Sequence, residues 1–588
     1  MTPWSLGRRL FAGAAFLGVL AAPCPAASWW RLPVWGAEVR VFAVDPFRPG
    51  SVFCGTSRGN FYGSTDGGES WTPLRSGAAF PGYVATGLVV DPSTPDHLWA
   101  SLSGQYGGGL VVESRDRGAG WTVLARWSHG VSARALAVFP GPAPVLAVGG
   151  DEGVLLSRDG GRSWAGAGAR VPGLRRVESL AFLPSDPKTL FAGTWRQAFR
   201  TQDGGASWSR IADGMVLDAT VYAWDMEGPD PKDIWVSTCG WVYRTLDGGD
   251  HWTRFQDGFT NRRSQAIRRD PTRPGLIYAG TVGGLHRSTD DGRTWSRVSR
   301  ESLVVTALEV DAATGRLYVG SEGEGVFYSD DAGTTLNRGS AGLAEGRVCD
   351  LVADPNDPGR VYFFRVYGGE ESGVWEAVGM RVHRVSLDPL PPAASLAAFR
   401  DEKGQTVLLL SSSSGVRVSW DGGQRWSAPE TPPAGVPVAL FGAPFSRPIL
   451  VTSAGVFRAA QGGRSFDAIA GGPEGGVSAE LLLDADGHPL LEVRTPGEVF
   501  RWNGGGWSSR RRGVLTRGLF LEDSAGGYPA ESYSSLQEVN GRLVWEEGNR
   551  RLALTSPRPG LTVSSAALTP GGRIYLGTTG DGLFLFEP

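Results

Sequence analysis

Ser64-Thr65-Asp66-Gly67-Gly68-Glu69-Ser70-Trp71 opens a series that decides the fold. The phrase Ser/Thr-x-Asp-x-Gly-x-x-Trp returns at Ser114-Asp116-Gly118-Trp121, Ser157-Asp159-Gly161-Trp164, Thr201-Asp203-Gly205-Trp208, Thr245-Asp247-Gly249-Trp252 and Ser288-Asp290-Gly292-Trp295. It recurs at Ser329-Asp331-Gly333 with Leu336 in the Trp slot, and whole at Ser419-Asp421-Gly423-Trp426. From Asp116 to Asp290 the aspartates are spaced by 43, 44, 44 and 43 residues. A fixed period of about 40–45 residues with strand-like content marks a β-propeller, one blade per repeat.

One repeat shows how the blade is written. Ala266-Ile267 lie in a first strand that ends at Asp270-Pro271, where Pro fixes φ and Asp caps the local backbone. Leu276 to Thr281 form a second strand and Gly284 to Ser288 a third. The phrase itself makes the hairpin to a fourth strand that starts at Trp295. Within the phrase the Asp carboxylate accepts from turn N–H groups, Gly supplies positive φ, the hydroxyl closes a side-chain bond, and Trp buries apolar area under the turn.

These residues resemble the Asp-box (BNR) repeat of the sialidase, sortilin, tandem-propeller xyloglucanase and photosystem II assembly-factor propellers. The resemblance covers most of the chain. It implies that Asp66, Asp116, Asp159, Asp203, Asp247, Asp290, Asp331 and Asp421 are structural and lie at the blade periphery. Their companions are Trp71, Trp121, Trp164, Trp208, Trp252, Trp295 and Trp426.

Beyond Asp331 the phrase decays while the period survives. Asp331 to Asp421 is 90 residues, two periods. Degenerate repeats stand at Gly373-Val374-Trp375, Gln461 to Phe466, Asn503-Gly504-Gly505, Val544-Trp545 and Gly582-Leu583-Phe584. The expectation is an all-β chain of tandem β-propellers, with about thirteen four-stranded blades in two rings. Residues 28–340 are assigned to a regular ring of about seven blades and 341–588 to a diverged ring of about six. A single larger ring, as in the sortilin family, is the other arrangement that the repeat count allows. Trp29-Trp30-Arg31-Leu32 resembles a lone fourth strand, and the last unit supplies three. Residues 29–33 are therefore expected to pair with 580–586 and close a ring.

The N-terminus reads as an export signal. Arg8-Arg9, an apolar run from Leu10 to Ala22 and small residues to Ala27 give a charged start, a short hydrophobic core and a cleavage zone. Pro23 before Cys24 fits a lipidation site poorly, so cleavage near Ala27 is expected, without a membrane span. The net charge of −3 leaves no basic surplus for phosphates, which argues against a nucleic-acid partner. Cys54, Cys239 and Cys349 make no disulfide framework, and the six histidines lack ligand spacing, so no metal and no cofactor are expected.

Function is sought at the mouth of the first ring. Aligned on the Asp45-type turn, the residues seven positions upstream are Glu38, Val84, Ser132, Arg176, Asp218, Arg263, Val304 and Arg347. Five positions upstream lie Arg40, Thr86, Arg134, Glu178, Thr220, Gln265, Thr306 and Cys349. By period two these share a strand face and converge on the axis. Arginine forks suit carboxylates and sulfates, so Glu38, Arg40, Arg134, Arg176, Arg263 and Arg347 are ligand-binding candidates for an acidic glycan or a peptide carboxylate. A solvated channel whose charges neutralise one another is the plainer reading. Glu178 and Asp218 are the carboxylate candidates should the chain be a glycoside hydrolase, xyloglucanase-like or sialidase-like. Arg31-Leu32-Pro33 nearly matches the Arg-Ile-Pro motif of sialidases, but it falls in the closing strand, and no Tyr–Glu pair accompanies it. The sequence is read as an exported binding or assembly scaffold for a protein or polysaccharide ligand.

Overall fold

The structure is a computed structural model. It describes residues 28–587 except 33–35, 75–79, 81, 105–106, 129–130, 169–170, 217–218, 227–230, 344, 346–347, 366–372, 388–389, 391–392, 443–446, 484–488, 512–534, 540–541, 548–549, 556–562, 569–572 and 579–581. Residues 1–27, read above as an export signal and including Cys24, lie outside the described residues, as do Asp218 and Arg347. The strands form thirteen antiparallel sheets, eleven of four strands and two of three. No helix among the described residues is long and apolar enough to cross a membrane.

Two compact units share the chain. One is residues 35–345, and the other combines 1–34 with 346–588. The first unit runs five residues past the expected boundary of 340, because Leu343 and Glu345 bond back to Gly36 in its opening segment. It holds seven four-stranded blades, whose innermost strands are Val39–Val44, Tyr83–Val90, Ala135–Phe139, Val177–Leu183, Val221–Asp225, Ser264–Arg269 and Val305–Val310. The blades are numbered one to seven in that order.

Glycine in the second strand lets neighbouring blades approach. A Cβ on Gly193 would stand 2.7 Å from Val221 Cβ, and one on Gly280 would stand 2.5 Å from Val305 Cγ1, each valine opening the next blade. The same contact joins blade seven to blade one, where a Cβ on Gly320 would meet Val39 Cγ1 at 2.9 Å. The seam repeats farther out. The Trp252, Trp295 and Trp71 amides donate to the Asp213, Asp257 and Ala341 carbonyls of the preceding blade at 2.9, 2.8 and 2.7 Å. The ring therefore closes side to side, with no strand exchanged between its ends.

The second unit has six sheets, beginning at Val348–Ala353, Ala393–Arg400, Pro437–Phe441, Ser478–Leu483, Ser535–Val539 and Val563–Leu568. Its last sheet is completed from the other end of the chain. Ser28–Leu32 pairs antiparallel with Leu583–Glu587 in the register Ser28 to Glu587 through Leu32 to Leu583. Leu32 is fully buried in one cluster with Val348, Phe363, Tyr575 and Leu585. The whole of 35–345 is thus inserted between the first strand of this unit and its remainder.

The hairpin of the repeated phrase, called a box below, has a common local geometry. In blade four the Thr201 hydroxyl donates to Asp203 Oδ1 at 2.8 Å and receives the Gly205 amide at 2.9 Å. Asp203 Oδ1 also receives the Ser207 amide at 2.9 Å. These bonds hold the carboxylates ionised: Asp159, Asp203, Asp290 and Asp331 are lowered to about 2, led by side-chain hydrogen bonds in the first three and by the Thr335 amide at Asp331. Boxes of the first unit also brace the segment that joins the first and second strands of their own blades. The Gly67, Gly204 and Gly248 amides donate to the Gly50, Lys188 and Lys232 carbonyls at 2.8, 2.9 and 3.1 Å.

The tryptophans serve two purposes. Trp71 and Trp252 send Nε1 to the Gly339 and Ile211 carbonyls of the preceding blade, whereas Trp164 and Trp426 bond within their own boxes. Cys54 is buried in its second strand, whereas Cys239 is half-buried in the turn after Ile234–Thr238.

Candidate binding site

Strand alternation separates the two ends of the first ring. In a blade of four antiparallel strands, the start of the first strand and the turn between the second and third lie at one end. The boxes and the Asp45-type turns lie at the other. The candidate residues at the first-strand starts therefore lie at the end away from every box aspartate of this ring.

A β-bulge aims these starts. The pairing of first and second strands shifts register at Val39/Val41, Ala85/Gly87, Val177/Ser179, Val221/Ala223, Ser264/Ala266 and Val305/Ala307. The extra residue in each case is Arg40, Thr86, Glu178, Tyr222, Gln265 or Thr306. A bulge bends its strand and re-aims one side chain. All six, with Arg134 from blade three, line one cavity of about 620 Å³. Arg263, Arg268 and Glu309 line it as well.

This placement corrects the sequence alignment in blade five. Thr220 was expected in the inner slot and Asp218 two residues before it. Val221 packs on Gly193 as Val305 packs on Gly280, so Tyr222 holds the slot and Thr220 the position before it. Asp225 still pairs with Trp235, the place Ala43 holds against Phe53, so it lies two residues before the Asp45-type position. Counting back from Asp225 therefore slipped the register by two. The six bulges were not legible, because a bulge is invisible to a period-two count.

The remaining candidates separate. Arg40, Arg134, Glu178 and Arg263 border the cavity, whereas Glu38 and Arg176 do not. Glu38 instead pairs with Arg40 at 2.8 Å. Arg134 Nε meets Asp151 at 3.1 Å and its Nη1 meets Glu178 at 3.4 Å. Deeper in, Arg268 meets Glu309 at 3.2 Å across the seam of blades six and seven. Burial pushes the Glu178 carboxyl above its ordinary range, and Arg134 and Arg176 pull it back. Arg263 lies over the Tyr222 ring, 5.7 Å from its centroid, and Arg176 lies 4.1 Å over Trp195.

Both carboxylates of the cavity wall are thus bound to guanidinium groups.

No protein-family model matches the sequence, and no match was found among curated proteins. The solved structures it is similar to include a GH74 xyloglucanase from Xanthomonas campestris, at 17% identity and a TM-score of 0.55. The alignment covers 96% of this chain and 100% of that one. A GH74 enzyme from Niastella koreensis aligns at 16% identity and a TM-score of 0.55, over 95% of this chain and 99% of that one. At such identities the likeness is one of fold: these neighbours are β-propeller proteins, and the chain described here is a tandem β-propeller.

Proposed function

We propose that this protein is an exported Asp-box propeller that acts as a non-catalytic binding or assembly scaffold. It holds an anionic group of a protein or glycan ligand at the mouth of the ring formed by residues 35–345. The observation that carries this reading is the set of bulged and neighbouring residues that brings Arg40, Arg134 and Arg263 to one cavity from three blades. Guanidinium forks bind carboxylate and sulfate through paired N–H donors, and a cavity wall of low dielectric strengthens each contact. Export follows from the reading of residues 1–27, with cleavage near Ala27. Membership of the Asp-box superfamily is part of this reading, and the recurrence of the phrase and its bonding support it.

A glycoside hydrolase is the alternative, favoured by the fold shared with the xyloglucanases. It requires two carboxylates with separate acid and base duties. In the cavity described above, Glu178 and Glu309 are instead paired with Arg134 and Arg268. A glycan array run beside turnover assays on xyloglucan, other polysaccharides and sialosides distinguishes the two. Saturable anionic-ligand binding without turnover, lost in Arg134→Gln and Arg263→Gln, is the expected result. Release of reducing sugar that disappears in Glu178→Gln would overturn it.

A further inference from the structure

We infer that the rim of this mouth at blades four and five is a subsite for a uronic acid of an anionic glycan, with Trp195 as its platform and Arg176 as its carboxylate clamp. The inference rests on the binding function proposed above and names its ligand class.

The guanidinium groups around the mouth are unequal. Arg40 is held by Glu38, Arg134 by Asp151 and Glu178, and Arg268 by Glu309. Arg176 and Arg263 have no ion-pair partner among the described residues, and each rests on an aromatic ring instead. A guanidinium held over an aromatic ring by its cation–π attraction spends no carboxylate on that contact and can offer N–H groups to a ligand carboxylate.

The platform is exposed and held in place. Trp195 is 45% exposed, the only tryptophan among the large hydrophobic residues exposed to that degree in the described chain. Its amide donates to the Arg176 carbonyl at 3.2 Å, and its own carbonyl receives the Thr220 hydroxyl at 2.6 Å. Val216, 43% exposed, lies beside the adjoining turn at Gly240.

Backbone strain gathers at the same place. Arg176 has φ 51° and Trp241 has φ 82°, left-handed values that bulky side chains avoid. The other such residues described in this ring, Asp96, Arg117, Asp291 and Ala332, belong to the first-strand turns or the boxes at the opposite end. Strain kept at a ligand-facing loop fits a clamp set before the ligand arrives.

A pyranose carries an apolar C–H face, and a uronate adds a carboxylate at its edge. The face covers the exposed indole while the carboxylate reaches the guanidinium stacked on it. An acidic peptide would use the arginines and leave Trp195 and Val216 uncovered, so the exposed apolar area favours the sugar.

Affinity electrophoresis and calorimetry at about 0.15 M salt test this, where long-range charge attraction is largely screened. The probes are polygalacturonate, its methyl-esterified form, neutral xyloglucan and poly-glutamate. Polygalacturonate is expected to bind at least about tenfold more tightly than the other three, a difference of one charge-assisted contact. Trp195→Ala and Arg176→Gln should each weaken it by about tenfold with unchanged thermal unfolding, while Arg115→Gln, at the box end, should leave it unaltered. Equal binding of poly-glutamate, or full binding by Trp195→Ala, overturns the inference. If those two variants bind normally while Arg134→Gln and Arg263→Gln do not, the subsite falls and the mouth stands. If no anionic polymer or peptide binds at all, both fall.

Discussion

The ring of residues 35–345 and the ring built from 346–587 with 28–32 meet the same demand by different means. A propeller must join its last blade to its first, or leave two sheet faces bare. The first ring does so with the seam it uses between other blades: Val39 against Gly320, and Trp71 against Gly339 and Ala341. The second borrows a strand from far away in the sequence, placing Ser28–Leu32 on Leu583–Glu587. The first ring carries seven aspartates of the box phrase, the second only Asp421. Where each blade is stiffened by its own box and matched to its neighbour by a Gly–Val contact, side-to-side packing closes the circle. The diverged ring packs its last sheet on its first as well, and adds the main-chain hydrogen bonds of the borrowed strand, which tolerate side-chain drift.

The sharpest way to break this contrast is to remove residues 28–32. The expected result is loss of hydrogen-exchange protection across 346–587 while 35–345 keeps its own. Leu32→Ala is the milder form, expected to cost about 2–5 kcal/mol because the side chain is fully buried. Equal loss in both rings would show that they do not close independently.

The next effect is on the seam of the first ring. A Cβ on Gly258, at φ +94°, would stand 1.8 Å from the Trp295 carbonyl oxygen. Gly258→Ala is expected to cost about 3 kcal/mol, from left-handed strain plus overpacking, read as a lower midpoint for the first ring alone. Gly166→Ala, with nothing within 4 Å, should be close to neutral.

Glu345 gives a smaller, pH-dependent effect at the junction of blades one and seven. It is buried, receives Thr56 Oγ1 at 2.8 Å and Asn60 Nδ2 at 2.6 Å, and burial raises its carboxyl to about 7. The folded state therefore holds this proton more tightly than the unfolded chain. The resulting stability is complete below the unfolded value near 4.5 and fades as pH rises through 7. Glu345→Gln should remove that slope from urea unfolding of the first ring between these values.

The smallest effect is that of one box. Asp203, lowered from 3.8 to about 2, contributes stability present above 3.8 and lost as pH falls toward 2. Asp203→Asn should flatten the acid limb of the first ring slightly. The intact protein should lose its first ring more steeply than its second over this window, as read by intrinsic fluorescence.

Legibility followed the range of the interactions. The box hairpin was readable because its bonds join residues two to four apart, such as Thr201 to Asp203 and Ser207 to Asp203. The polar first-strand starts were readable as far as Arg40, Arg134, Glu178 and Arg263. Tyr222 was missed because Asp225, a paired strand residue two positions before the turn, was taken for the turn aspartate and shifted the count by two. Trp195 and its stacking on Arg176 carried no signal, since a tryptophan outside the phrase looks like any core residue. The tryptophans of the phrase were read as anchors for their own turns, and Trp71 and Trp252 proved to bond across to the preceding blade.

The period and chemistry of the repeat were enough to specify the hairpins and the radial all-β plan, because both arise from bonds within one blade. Folding alone decided which residue each bulge turns inward, how each circle closes and which arginines lack an ion-pair partner among the described residues. Those outcomes depend on neighbours some forty to several hundred positions away, such as Val39 with Gly320 and Leu32 with Leu583, and no local pattern encodes them.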